Sequence, residues 1–194
     1  MIVLAFAGTP LAACENGGCG TYSSDVLDSP YAGWSDCILH EAGEKPLWHG
    51  LTRTGVREQI RFTFTEGHSS YTQVIDFDGY TDGHGSIRLK TLHDEPTDGL
   101  VISGQKSRRV SPGDVAIIDR LALSSGTWEH AIGTWNGDDL YMHCETLDME
   151  RATAAGYSFS SANISCNQPE KLMPLVQFMT GLVDLKPYAN GRMY

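Results

Sequence analysis

The sequence predicts an α+β fold: one antiparallel sheet of about six to seven strands, with two principal helices packed on one face. Three observations carry this expectation. Between Arg53 and Val110 apolar and polar residues alternate in short runs, separated by turns rich in Gly and Asp. Two later stretches change to helical apolar spacing, and each is opened by a start signal. No repeat, low-complexity tract or Pro/Gly/Ser linker divides the chain, so residues 34–194 read as a single domain with room for a proper core.

In the first strand Ile60, Phe62 and Phe64 alternate with Arg61, Thr63 and Thr65, which predicts a half-buried strand with the three apolar side chains in the core. Gly67-His68-Ser69 turns the chain into a second strand over 71–77, and residues 78–85 (DGYTDGHG) form the next turn. A third strand runs over 86–92 with Ile87, Leu89 and Thr91 on one face. A turn at 95–99 leads to a fourth over 100–110, which completes an antiparallel meander. Ser111 then caps a helix over 112–124: Pro112 suits its first position, Asp114 completes a capping-box pattern, and Val115, Ile118, Leu121 and Ala122 recur at helical spacing until Gly126 ends it.

Strands are expected over 130–135, 140–147 and 157–165. In the middle one Leu140, Met142, Cys144 and Thr146 share one face, and Tyr141, His143 and Glu145 the other. Asn167 and Pro169 announce a last helix over 169–184. Leu172, Leu175, Val176, Met179 and Val183 form its apolar stripe, and Pro174 is placed to kink it. Ahead of the sheet, residues 34–50 hold Trp34 and Trp48, read as core plugs. They also hold His40-Glu41, which lacks the second His one turn on that a zincin helix needs.

Residues 1–14, MIVLAFAGTPLAAC, carry no charge and are apolar from Ile2 to Ala7. Such a run is too short to span a bilayer, which takes about 20 residues. It has the apolar region and small-residue ending of an export signal. Leu11-Ala12-Ala13-Cys14 resembles the lipobox of bacterial lipoprotein precursors. That resemblance implies a signal peptide over 1–13, a lipid on Cys14, and a protein of the bacterial cell envelope facing the periplasm. Residues 14–33, dense in Gly, Ser, Asp and Asn, then read as the flexible tether between anchor and domain.

With Cys14 lipidated, Cys19, Cys37, Cys144 and Cys166 remain, an even set for an oxidising compartment. Four cysteines permit three pairings, of which Cys19–Cys37 and Cys144–Cys166 are the expected ones. Zinc is disfavoured because no CxxC occurs.

The formal net charge of −10 argues against a nucleic-acid partner, since binding phosphates needs a Lys/Arg surface. The short cluster Lys106-Ser107-Arg108-Arg109 reads as a solvated strand face. An acidic domain favours a basic envelope protein as partner.

Two constellations could carry chemistry. Asp76, Asp78, Asp82 and His84 fall within nine residues and form a weak candidate calcium site. It lacks the distant bidentate Glu of a calcium loop, so a hairpin turn with Asp and Gly supplying turn chemistry is the preferred reading. Tyr141, His143 and Glu145 would make an acid/base set if a cleft received them, and the wet face of a sheet otherwise. No nucleophile elbow, phosphate loop or dinucleotide fingerprint is present. The expectation is therefore a non-catalytic protein-binding lipoprotein, an inhibitor or immunity protein being one form of it. A small periplasmic enzyme or cation-dependent ligand binder is the alternative.

Overall fold

The computed structural model describes residues 18–26, 32–66, 71–95, 99–129, 132–134, 144–165 and 168–185. It is an α+β fold built on one sheet. The strands are β1 (Val56–Glu66), β2 (Tyr71–Tyr80), β3 (Gly85–Glu95), β4 (Gly99–Val110), β5 (Ile132–Thr134), β6 (Glu145–Thr153) and β7 (Gly156–Asn163). The helices are α1 (Ala32–Glu41), α2 (Pro112–Ser125) and α3 (Met173–Leu182). Spatial order is β4-β3-β2-β1-β6-β7-β5. The first six of these form the antiparallel sheet, while the three-residue β5 pairs parallel with β7 at the far edge.

The β2–β3 hairpin of the meander β1–β4 follows the turn chemistry of its sequence. In the β2–β3 hairpin the Asp82 carboxylate accepts the His84 amide at 3.0 Å, and the Tyr80 amide donates to the His84 carbonyl at 2.8 Å. A side chain at Gly85 would come within 2.7 Å of the Phe77 ring, so the hairpin closes only because that position lacks a Cβ. Helix α2 starts as its capping residues dictate, with Ser111 Oγ accepting the Asp114 amide at 3.2 Å. It stops at Gly126, which takes the left-handed conformation (φ 68°).

Ile60, Phe62 and Phe64 of β1, with Ile75, Phe77, Ile87, Leu89, Leu147 and Met149 of its neighbours, form the main core. Val115, Ile118 and Ala122 of α2 and Leu175, Val176 and Met179 of α3 belong to the same cluster. The apolar stripes written into those two helices are what they bury.

Several sequence expectations need correction. First, the sheet is covered on both faces. Arg61, Thr63 and Thr65, expected on a half-wet face, are buried, because α1 and the chain ahead of it lie over them. Second, α1 was not anticipated. Its Ile38 and Leu39 form a second core with Tyr22, Val26, Val74, Leu92 and Phe159. Third, residues 18–26, part of the expected tether 14–33, pack against the domain: Thr21, Tyr22 and Val26 are buried and the Cys19–Cys37 disulfide holds the segment to α1. Asp36 of α1 reinforces that clamp by accepting the amides of Cys19, Gly20 (3.0 Å) and Tyr22 (2.6 Å). Fourth, the strand expected over 140–147 is found at Glu145–Thr153; residues 140–143 lie outside the described residues.

Cys144 is disulfide-bonded, and its expected partner Cys166 lies outside the described residues, as does Cys14. Trp48 is 40% exposed rather than a core plug. Among the described residues no helix is long and apolar enough to cross a membrane.

Candidate functional site

The second face of the sheet carries a row of alternating charges. Cross-strand register places Arg88 of β3 beside Asp76 of β2, Asp76 beside Arg61 of β1, and Arg61 beside Glu150 of β6. Period two puts all four side chains on one face. Arg61, 2% exposed, donates Nε to Asp76 at 2.8 Å, Nη1 to Glu150 at 3.2 Å, and Nη2 to the Lys45 carbonyl at 3.1 Å, with Glu44 at 3.5 Å. Arg88 Nη2 reaches Glu44 (2.9 Å) and Asp76 (2.5 Å), and Lys90 forms an ion pair with Glu44. Glu44 comes from the loop after α1, so that loop closes the row from above.

Asp148 joins Glu150 as a second buried acid of β6 on this face. Asp148 accepts from Ser161 at 2.7 Å and from the Tyr22 hydroxyl at 3.5 Å, and Glu150 accepts from the Tyr157 hydroxyl at 3.0 Å. The electrostatics divide the acids. Burial pushes the Glu150 carboxyl up to about 7, and Arg61 and the Tyr157 hydrogen bond offset this only in part. Burial likewise raises Asp148 against its hydrogen bonds from Ser161, Ser35 and Tyr22. Burial also raises Asp76, but there Arg61 and Arg88 outweigh it and hold the carboxyl below its ordinary value. The Tyr157 hydroxyl is raised by burial and by Glu150.

Between this row and the loop after α1 lies a cleft of about 360 Å³, at the small end of ligand-pocket sizes. Four cations (Lys45, Arg53, Arg61 and Arg88) and three carboxylates (Glu44, Asp76 and Asp78) line it. Every one of those carboxylates is engaged. Asp78 holds Arg53 at 2.8 Å and Gln59 Nε2 at 2.8 Å, and Glu44 and Asp76 hold the cations already named.

The predicted site residues do not converge. Asp76 and Asp78 line this cleft, each bonded to two side chains, whereas Asp82 and His84 line a separate surface depression at the β2–β3 hairpin with Tyr80, Ser86 and Arg109. The latter two serve the turn itself, with Asp82 Oδ2 3.6 Å from His84 Nδ1. Calcium at Asp76 would meet two guanidiniums. Glu145 is buried at the start of β6, while Tyr141 and His143 lie outside the described residues. His40 and Glu41 are exposed at the end of α1. Cys19, Asp36 and Cys37 are close enough to suit a metal, but the two sulfurs are joined to each other. The sequence reading missed Arg61, Arg88, Glu44 and Glu150. The available signal was opposite charges at non-edge strand positions that pair in register.

A second feature lies at the sheet's other end. Among the described residues β4 is an edge strand of 12 residues that pairs only with β3. Residues 101–109 are exposed without interruption, including Val101, Ile102 and the cluster Lys106-Ser107-Arg108-Arg109.

No protein-family model matches the chain, and no curated protein matches it. Among solved structures, one alignment is with the motor domain of the kinesin-like protein Kar3, a Saccharomyces cerevisiae kinesin-related protein. It has 12% identity and a TM-score of 0.15, covering 84% of this chain and 50% of that one. The chain spans half the length of that structure, and a likeness at that score carries no argument about fold or function.

Proposed function

We propose that this protein is a non-catalytic protein-binding domain of the bacterial envelope, held to the membrane by a lipid on Cys14. The observation that carries the binding reading is β4: 12 residues of edge strand with residues 101–109 exposed. An edge this long presents unpaired backbone groups, which proteins either blunt or use for strand addition by a partner. Val101 and Ile102, 38% and 49% exposed, supply apolar contact at one end. The non-catalytic reading is supported by the cleft, whose three carboxylates are all committed to cations and leave no free base. The anchor and location rest on the lipobox resemblance.

Net charge alone favours a basic partner, but charge placement qualifies that. Among the described residues seven carboxylates are buried against two cations, Arg61 and Lys90, so much of the negative excess is internal. The cations of β4 favour an acidic segment at that edge, and a basic partner would meet the protein elsewhere. The test is capture from envelope extract by the tagged full chain in detergent, washed at rising salt. Wild type should retain a protein that Val101→Asp/Ile102→Asp does not. Retention of nothing at low salt, or equal retention by the variant, overturns the proposal.

A further inference from the structure

The cleft beneath the loop after α1 is separate from β4, and its chemistry is lopsided in a useful way. Four cations line it against three carboxylates, in a chain whose formal charge is −10. The carboxylates are spent on their neighbours, but the cations are not. Arg88 uses only Nη2, for Glu44 and Asp76, and its Nε and Nη1 donate to no described residue. Its side chain is 35% exposed, so those donors reach solvent. Arg53 gives both terminal nitrogens to Asp78 and keeps Nε, with its side chain 58% exposed. Lys45 is exposed and makes no side-chain bond to a described residue.

The floor is rigid for a reason independent of any ligand: Arg61 is fixed by Asp76, Glu150 and the Lys45 carbonyl. That fixes Asp76, which in turn holds Arg88. An arginine held from one side by carboxylates presents its remaining N–H groups at low entropic cost, the arrangement that suits charge-assisted hydrogen bonds to an oxyanion.

We propose that this cleft is a binding site for a small oxyanion, a phosphate or carboxylate group, received by the free N–H groups of Arg88 together with Lys45 and Arg53. The polar wall and the size of about 360 Å³ suit a compact polar molecule. A divalent cation is the wrong charge here, because every carboxylate it would need is held by an arginine, a lysine or Gln59.

The experiment is calorimetric titration of the full chain at low ionic strength with inorganic phosphate and, separately, with succinate. Sodium chloride matched for ionic strength is the control. Saturable binding with Kd under about 1 mM is expected for at least one of them, and which one saturates assigns phosphate or carboxylate. Lys45→Gln/Arg53→Gln should weaken it at least tenfold, and Arg88→Lys should do so too, because a single ammonium held by Glu44 and Asp76 has no second nitrogen to offer the oxyanion. Both variants keep the Arg61 ion pairs, and thermal unfolding near the wild-type temperature verifies that they fold. Heat that never saturates, chloride acting as well as the oxyanions, or variants binding like wild type each overturn the proposal. Protein capture through β4 should be unchanged in Lys45→Gln/Arg53→Gln, so failure of one site leaves the other standing.

Discussion

Glu150 predicts an unusual direction of pH dependence. It is fully buried on β6, bonded to Arg61 at 3.2 Å and to the Tyr157 hydroxyl at 3.0 Å, and its carboxyl titrates at about 7 against an ordinary 4.5. The folded protein therefore holds a proton between about pH 4.5 and 7 that the unfolded chain releases. The stabilisation from that proton is complete below the unfolded value and is lost as pH rises to the folded one. A gap of about 2.5 pH units at about 1.4 kcal/mol each amounts to about 3 kcal/mol. Asp148, raised by the same burial, acts in the same direction. Asp76, lowered by Arg61 and Arg88, acts oppositely and only at more acid pH.

Glu150→Gln removes the titration while keeping a carbonyl that accepts from Arg61 or Tyr157. Urea unfolding followed by tryptophan fluorescence at pH 5, 6, 7 and 8 gives both stability curves. Relative to wild type, the variant should gain about 3 kcal/mol across the window from pH 4.5 to 7.5. Parallel pH profiles for the two proteins would show that Glu150 is ionised throughout and refute the reasoning.

Cys19→Ser/Cys37→Ser opens a loop of 18-residue separation that holds Tyr22 and Asp36 together, and should cost on the order of 3 kcal/mol in urea unfolding. A loss well under 1 kcal/mol would mean the Asp36 amide clamp suffices. Ser111→Ala removes the α2 cap and should cost about 1 kcal/mol, read as a lowered Tm. Gly85→Ala would drive a Cβ to 2.7 Å from the Phe77 ring and should destabilise by about 1–3 kcal/mol, with disturbed amide shifts confined to the β2–β3 hairpin.

The parts of the fold legible in sequence are those whose signals are local. The meander is written in adjacent alternating runs, α2 in Ser111, Pro112 and Gly126, and the α3 stripe in Leu175, Val176 and Met179. The second face was illegible because its logic is non-local. Arg61 reads as solvated until Glu44, 17 residues before it, and Glu150, 89 residues after it, are brought alongside. Period-two patterning assumes charges point to water, so Arg61 reads as outward-facing and the strand over 140–147 stops ahead of Asp148 and Glu150. Helix α1 escaped for a related reason: AGWSDCILHE combines Gly and Asp, and among its described side chains Ile38 and Leu39 are the buried apolar ones, too few for a helical stripe. The candidate site inherits this difficulty. In sequence Asp76 and Asp78 read as turn residues or weak calcium ligands, whereas they are bonded to arginine side chains of the fold.

The charge row also makes a prediction that joins Arg61 to Glu150. Arg61 is the cation between three acids, Asp76, Glu150 and Glu44, so truncating it leaves buried carboxylates short of a partner. Breaking a buried pair from one side typically costs about 3–5 kcal/mol, and Arg61→Met should fall in that range. The loss should not be constant with pH. Glu150, without the guanidinium that favours its charged form, moves further above 7 and stays protonated in the folded state. At pH 5 it is neutral with or without Arg61 and contributes little to the penalty; at pH 8 the variant must either protonate it or bury an unpaired charge. The penalty of Arg61→Met therefore grows from pH 5 to pH 8, and combining it with Glu150→Gln removes that growth. A double-mutant cycle at both pH values reads the coupling directly: near zero at pH 5 and at least 1 kcal/mol at pH 8. A coupling equal at the two pH values would mean that Arg61 is held mainly by Asp76 and Glu44, with Glu150 a bystander that Tyr157 alone satisfies.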